Sequence, residues 1–197
     1  MLEKVNPNHL TSVRLILIFA IAPLLLYSSS LGALIICAAL MLIAELSDCF
    51  DGVLARRCGK VTDFGKFYDP YCDSVYRLAI FICLIHFGLP IWAAIIFVVR
   101  DVTVAYLRIY MMSKGYVMAT RSSGKAKAVS QMIAQYVIVA YLLAIAWGVS
   151  PITATVFDLV TQITVGTALG ITLYSLIDYA FFVYLYDLRQ KRSAGSA

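Results

Sequence analysis

Asp48, Asp51, Asp69 and Asp73 stand in the pattern D-x2-D-G-x2-A-R-x8-G-x3-D-x3-D. On a helix, Asp48 and Asp51 share a face at i,i+3, and Asp69 and Asp73 do so at i,i+4. If the first pair closes one helix and the second opens its antiparallel neighbour, four carboxylates converge at one end. Such a cluster repels itself and is costly near lipid. Arg56 alone cannot balance it. Hard divalent cations suit an all-oxygen site, and Mg²⁺ keeps waters and takes further ligands from substrate phosphates. Two such ions form a clamp for phosphorus chemistry. Gly52 and Gly65 carry no side chain, so a nucleotide can approach the helix backbone closely. A salt-bridge network that only joined helices would leave both glycines without a role.

The elements that must position these groups follow from composition. Of 197 residues, 62% are hydrophobic and 14% charged, against about 25% charged in an ordinary soluble domain. Mean hydropathy is +0.87. A water-soluble fold of this size could not hide so much apolar surface. The expectation is an all-α polytopic membrane protein of one domain, residues 1–197. Apolar runs at 12–29, 31–55, 68–87, 90–112, 126–147 and 153–187 predict six transmembrane helices. Residues 1–10 are too polar to span and read as a short N-terminal interfacial segment rather than a signal peptide. Ser28-Ser29-Ser30, Gly88-Leu89-Pro90 and Gly148-Val149-Ser150-Pro151 are turn signals.

The net charge of +5 is explained by its distribution. Nearly all Lys and Arg lie near the N-terminus, the 2–3 loop, the 4–5 loop or the C-terminus, and the three opposite loops carry none. The positive-inside rule then puts both termini, and the aspartates, on the cytoplasmic side of an inner membrane. Nucleic acid is excluded as a partner. So is a secreted disulfide scaffold: Cys37, Cys49, Cys58, Cys72 and Cys83 form no CxxC pair and read as buried, reduced thiols. His9 and His86 are isolated and form no metal motif.

The pattern over residues 48–73 resembles the signature of the CDP-alcohol phosphotransferases at all eight of its positions. The resemblance implies six membrane helices, a cytoplasmic active site, a homodimer, and two Mg²⁺ or Mn²⁺ ions. It implies that Asp48, Asp51, Asp69 and Asp73 bind the metals, and that Asp73 is the general base on the acceptor hydroxyl. Gly52, Ala55, Arg56, Thr62 and Gly65 match positions that contact the CDP part of a CDP-diacylglycerol donor. Upstream, Asn8, Thr11 and Arg14 resemble the family's N-x2-T-x2-R start, near the donor head group.

The acceptor must be read elsewhere. Arg100 and Arg108 are close to two turns apart, so they share a face of span 4. The next loop offers Arg121-Ser122-Ser123-Gly124-Lys125-Ala126-Lys127. If spans 4 and 5 flank the site, Arg100, Arg108, Arg121 and Lys125 form a pocket for an anionic acceptor, such as an alcohol phosphate. Lys114 and Lys127 read as topology-setting loop charge, and a buried Arg100–Asp101 pair is the alternative for Arg100. The R-(D/E)-x6-R and GK-x-K-x3-Q spacings resemble those of phosphatidylglycerophosphate synthases, which implies glycerol 3-phosphate as the acceptor. Inositol phosphate is the nearest alternative. A small cation transporter would need carboxylates near the midplane and paired broken helices; here all four acids fall at one face and no repeat is present.

Strict divalent dependence follows from the four-carboxylate pattern. EDTA should abolish transfer, and Asp48→Asn should lower the rate about 10³-fold or more. Activity that survives chelation, measured as release of CMP from CDP-diacylglycerol, would contradict the two-metal expectation.

Overall fold

The computed structural model describes the backbone of residues 7–28, 30–58 and 63–194, and the side chains of 13–28, 30–47, 68 and 70–192. Asn8, Thr11, Asp48, Asp51, Gly52, Ala55, Arg56, Gly65 and Asp69 are therefore placed on their helices, but their side chains lie outside the described residues; Thr62 lies outside them altogether. The order is α1 (Pro7–Tyr27), α2 (Leu31–Cys58), α3 (Asp63–Leu84), α4 (Ile91–Ser113), α5 (Ser122–Trp147) and α6 (Pro151–Ala194), with one 3-10 turn, Ile85–Phe87, after α3. No strand occurs among the described residues.

The turns at one end of the bundle are the ones the Gly and Pro signals predict. α5 closes at Gly148, whose φ of 82° is a left-handed backbone that costs glycine nothing. Val149 N–H then donates back to the Ala144 carbonyl at 3.3 Å, and Pro151 starts α6. Gly88 does the same work at φ 95°: Leu89 N–H reaches the Leu84 carbonyl at 3.2 Å and Pro90 caps α4.

Helix ends differ from the apolar runs where charge begins. α1 starts at Pro7, so residues 7–10 of the polar N-terminal stretch continue directly into the first apolar run. α5 starts at Ser122, four residues before its apolar run, because the Arg121 carbonyl accepts from Gly124 N–H at 3.1 Å and Lys125 N–H at 3.2 Å. Lys125 and Lys127 thus sit on a helix, where their direction is fixed, and not on a loop. Hydropathy marks where a helix meets lipid; a helical backbone does not require it.

α5 and α6 pack along each other most extensively, α1 packs on both α2 and α3, and α4 packs on α6. The core between them includes Ile21, Met41, Ile80, Phe81, Phe97 and Ile138, all buried. Cys37, Cys72 and Cys83 are buried thiols. The outer surface is apolar as well, with Phe19, Trp147 and Ile152 exposed. Ser122–Trp147 and Pro151–Arg192 are each long and apolar enough to cross a membrane, and Val13–Tyr27 and Leu31–Ser47 are shorter apolar helices. An all-helical bundle with this surface is a membrane protein. α6, at 44 residues, is about 66 Å long and outlasts a hydrocarbon core of about 30 Å.

Phe81 on α3 and Phe97 on α4 meet with ring centroids 4.5 Å apart and are fully buried. Helix association in lipid depends on such packing rather than on water exclusion. Phe81→Ala should leave a void costing about 3–5 kcal/mol, seen as a clear fall in the melting temperature in detergent. A melting temperature equal to wild type would mean that α3 and α4 are not joined here.

Candidate active site

Asp73 sits nearly three turns into α3 and is 32% exposed, facing a cavity of about 650 Å³. Two arginines hold it. Arg77, one turn on, approaches at 3.5 Å through Nη2. Arg14 of α1, whose side chain is 2% exposed, pairs with it directly. The Arg14 Nε also donates to the Ala44 carbonyl of α2 at 3.3 Å, so one guanidinium joins α1, α2 and α3. The Arg77 carbonyl in turn accepts from Gln135 Nε2 of α5 at 2.7 Å. The fully buried Gln135 thereby ties this turn to α5.

The opposite wall is a second ionic group. Arg100 and Asp101 of α4 and Lys127 of α5 are all buried. Arg100 Nη1 donates to Asp101 Oδ1 at 3.0 Å, and Lys127 Nζ donates to the same carboxylate at 2.8 Å. One carboxylate thus serves two cations, an imbalance among the described residues in a place where charge is costly. Arg100 and Arg108 also each keep a buried Nε with no hydrogen-bond acceptor. Buried donors of this kind call for an acceptor.

Among the described residues the cavity lining contains Arg77, Arg100, Arg108, Lys125 and Lys127 against Asp73 and Asp101, five cations to two carboxylates. The structure therefore brings Arg100, Arg108 and Lys125 of the expected acceptor group together with Asp73. Arg121 is not in that lining. Its Nε and Nη2 form a fork on the two oxygens of Asp178 of α6, each at 2.7 Å, and its guanidinium lies 4.9 Å from the centre of the Phe182 ring. Hydrogen bonding to Asp178 pushes the Arg121 pKa further up, so it remains a charged strut. Ser123 Oγ donates to the same carboxylate.

Arg77 was not singled out from sequence and could have been found, since it stands one helical turn from Asp73. The Arg100–Asp101 pair weighed as the alternative for Arg100 is present, at 3.0 Å. Lys127, expected as loop charge, joins that pair across 26 residues, which no local spacing shows. Arg14, expected near the donor, is packed against Asp73.

Among the described residues no three metal-ligating side chains cluster. Three of the four aspartates have side chains outside those residues. The fourth, Asp73, turns its carboxylate to the cavity, which is the donor chemistry a hard divalent ion takes.

The sequence profile of the CDP-alcohol phosphatidyltransferase family matches residues 4–164. Curated relatives named CDP-diacylglycerol–glycerol-3-phosphate 3-phosphatidyltransferase include one from Bacillus subtilis, 40% identical over 98 residues, 49% of this chain and 51% of that protein. One from Mycoplasma genitalium is 39% identical over 106 residues, 51% of this chain and 43% of that protein. One from Yersinia enterocolitica is 34% identical over 134 residues, 64% of this chain and 71% of that protein. The chain spans about half the length of the first two.

Removing the shared carboxylate tests the ionic wall. Asp101→Asn leaves Arg100 and Lys127 buried without a counter-charge and should cost about 3–5 kcal/mol. Adding Lys127→Met should restore part of the lost melting temperature, because one of the two unpaired cations is gone. A double variant no more stable than Asp101→Asn would show that the two cations are not compensated through Asp101.

Proposed function

The chain belongs to the CDP-alcohol phosphatidyltransferase family, and on that footing we propose that it transfers the phosphatidyl group of CDP-diacylglycerol to glycerol 3-phosphate. The products are phosphatidylglycerophosphate and CMP. One observation carries the acceptor reading: Asp73 of the signature shares a cavity with five cationic side chains, three of which, Arg77, Arg100 and Arg108, retain unpaired buried donors. An uncharged alcohol has nothing to offer those groups, whereas a phosphate has three oxygens for them. The relatives' names point to the same acceptor.

The reaction asks for a proton acceptor, a cationic cradle and a bound donor. Asp73 takes the proton of the attacking hydroxyl. The hydroxyl oxygen bonds to the phosphorus that bears diacylglycerol, and the bond from that phosphorus to the CMP oxygen breaks, CMP leaving with the electron pair. Arg77 and Arg14 flank the carboxylate and fix its direction. Arg100, Arg108, Lys125 and Lys127 hold the phosphate of glycerol 3-phosphate so that its free hydroxyl faces Asp73. Asn8, Thr11, Gly52, Ala55, Arg56, Thr62 and Gly65 are assigned to the CDP-diacylglycerol. Divalent ions held by Asp48, Asp51, Asp69 and Asp73, two Mg²⁺ or Mn²⁺, would neutralise the pyrophosphate and ease departure of CMP.

The same reading makes the six helices six spans, with both termini and the cavity on the cytoplasmic side of an inner membrane. Its support is the distribution of Lys and Arg, which are absent from the turns at 28–30, 85–90 and 148–150. The donor never leaves the bilayer, which suits a site at a membrane face. A homodimer belongs to this reading on family grounds.

The test is CMP release from CDP-diacylglycerol in detergent micelles with glycerol 3-phosphate, inositol phosphate and glycerol as acceptors. Glycerol 3-phosphate should be used best and glycerol hardly at all. Asp73→Asn should lower turnover about 10²–10⁴-fold while the donor still binds. Equal rates with glycerol and glycerol 3-phosphate would remove the case for an acceptor phosphate. Preference for inositol phosphate would keep the cavity and change the substrate.

A further inference from the structure

α6 sends a fully buried tyrosine between the two arginines of α4. Tyr179 is 0% exposed, and the guanidinium carbons of Arg100 and Arg108 each lie 5.5 Å from its ring centre. Its hydroxyl oxygen accepts from Arg108 Nη2 at 3.1 Å and from the Arg121 backbone N–H at 3.0 Å. One turn earlier on the same face, Ser175 Oγ accepts from Arg100 Nη2 at 2.6 Å. Gly124 makes room for this arrangement: a Cβ there would stand 2.8 Å from the phenol oxygen. Ser175 and Tyr179 both lie beyond residue 164, where the family match ends.

The choice of an aromatic ring has a chemical consequence. A carboxylate paired to an arginine consumes the guanidinium fork, as Asp178 consumes that of Arg121. A ring face attracts the cation without using its N–H donors. Tyr179 therefore restrains two long side chains while leaving them donors to offer. An unrestrained arginine would lose rotamer freedom on gripping an anion, and holding it beforehand removes part of that cost.

We propose that Tyr179, assisted by Ser175, is a positioning residue for the acceptor: it sets the spacing and direction of the Arg100 and Arg108 guanidiniums that receive the substrate phosphate. α6 thereby tunes which phosphorylated alcohol is taken. The proposal rests on reading the cavity as the acceptor site. Tyr179 itself is not in the cavity lining and acts through the two arginines.

Tyr179→Phe keeps the ring and its packing and removes only the hydroxyl acceptor. The full chain in detergent is compared with wild type by two readouts, calorimetric affinity for inorganic phosphate and the KM for glycerol 3-phosphate. Both should weaken about 5–10-fold, with the KM for CDP-diacylglycerol and kcat within about twofold of wild type. Tyr179→Leu, which lacks the ring as well, should weaken both further. The control is Tyr110→Phe, which removes another hydrogen bond between α4 and α6, Tyr110 Oη to Asp187 Oδ2 at 2.7 Å, and should leave both readouts unchanged. A loss in Tyr110→Phe equal to that in Tyr179→Phe would assign the effect to helix packing and overturn the proposal. Wild-type phosphate binding that is unchanged in Tyr179→Phe overturns the proposal alone. A wild-type chain that binds no phosphate overturns the acceptor reading and the proposal with it.

Discussion

A charge that leaves water for the inside of an apolar helix bundle has to bring its counter-charge along, and this constraint organises one whole end of the molecule. Asp101 answers Arg100 and Lys127, Asp73 answers Arg14 and Arg77, and Asp178 answers Arg121. Each carboxylate reaches at least one cation on another helix. The ionic contacts therefore also fix how the helices sit: α1 against α3, α4 against α5, and the start of α5 against α6. An apolar interface alone tolerates sliding, whereas a buried ion pair has one register in which its cost is met.

Among the described residues the compensation is incomplete around the cavity. Five cations among these residues face two carboxylates there, and the guanidiniums of Arg77, Arg100 and Arg108 keep unpaired Nε donors. A bundle built only for stability would have balanced these groups or replaced them with packed hydrophobes. In the function proposed above, a phosphorylated substrate completes that charge. The other end of the bundle shows the contrast. Its turns at Gly88 and Gly148 are closed by backbone hydrogen bonds and glycine geometry and carry no Lys or Arg.

α6 has a part in this economy that its composition hides. It is mostly apolar, yet along one face it presents Thr172, Ser175, Asp178 and Tyr179 to α4 and α5. These are acceptors for donors on the two neighbouring helices. α6, which carries none of the signature aspartates, thus anchors Arg100 and Arg108 of α4 and the start of α5.

Local, periodic properties were legible in the sequence. The apolar runs located the helices, Gly88-Leu89-Pro90 and Gly148 through Pro151 located two turns, and the spacing of Arg100 and Arg108 put them on one face, because each depends on residues within a turn or two. The pattern over 48–73 carried the family for the same reason, since its chemistry is concentrated in one short stretch. What the sequence could not decide was which charges meet. Lys127 looked like loop charge and is a buried partner of Asp101; Arg121 looked like a substrate ligand and is forked on Asp178, 57 residues away. Tyr179 gave no signal at all, because a tyrosine in an apolar helix looks like any other. Only the packing of α6 across α4 and α5 brings it between Arg100 and Arg108. Long-range electrostatic pairing is set by the geometry of the assembled bundle, and no spacing within a single helix encodes it.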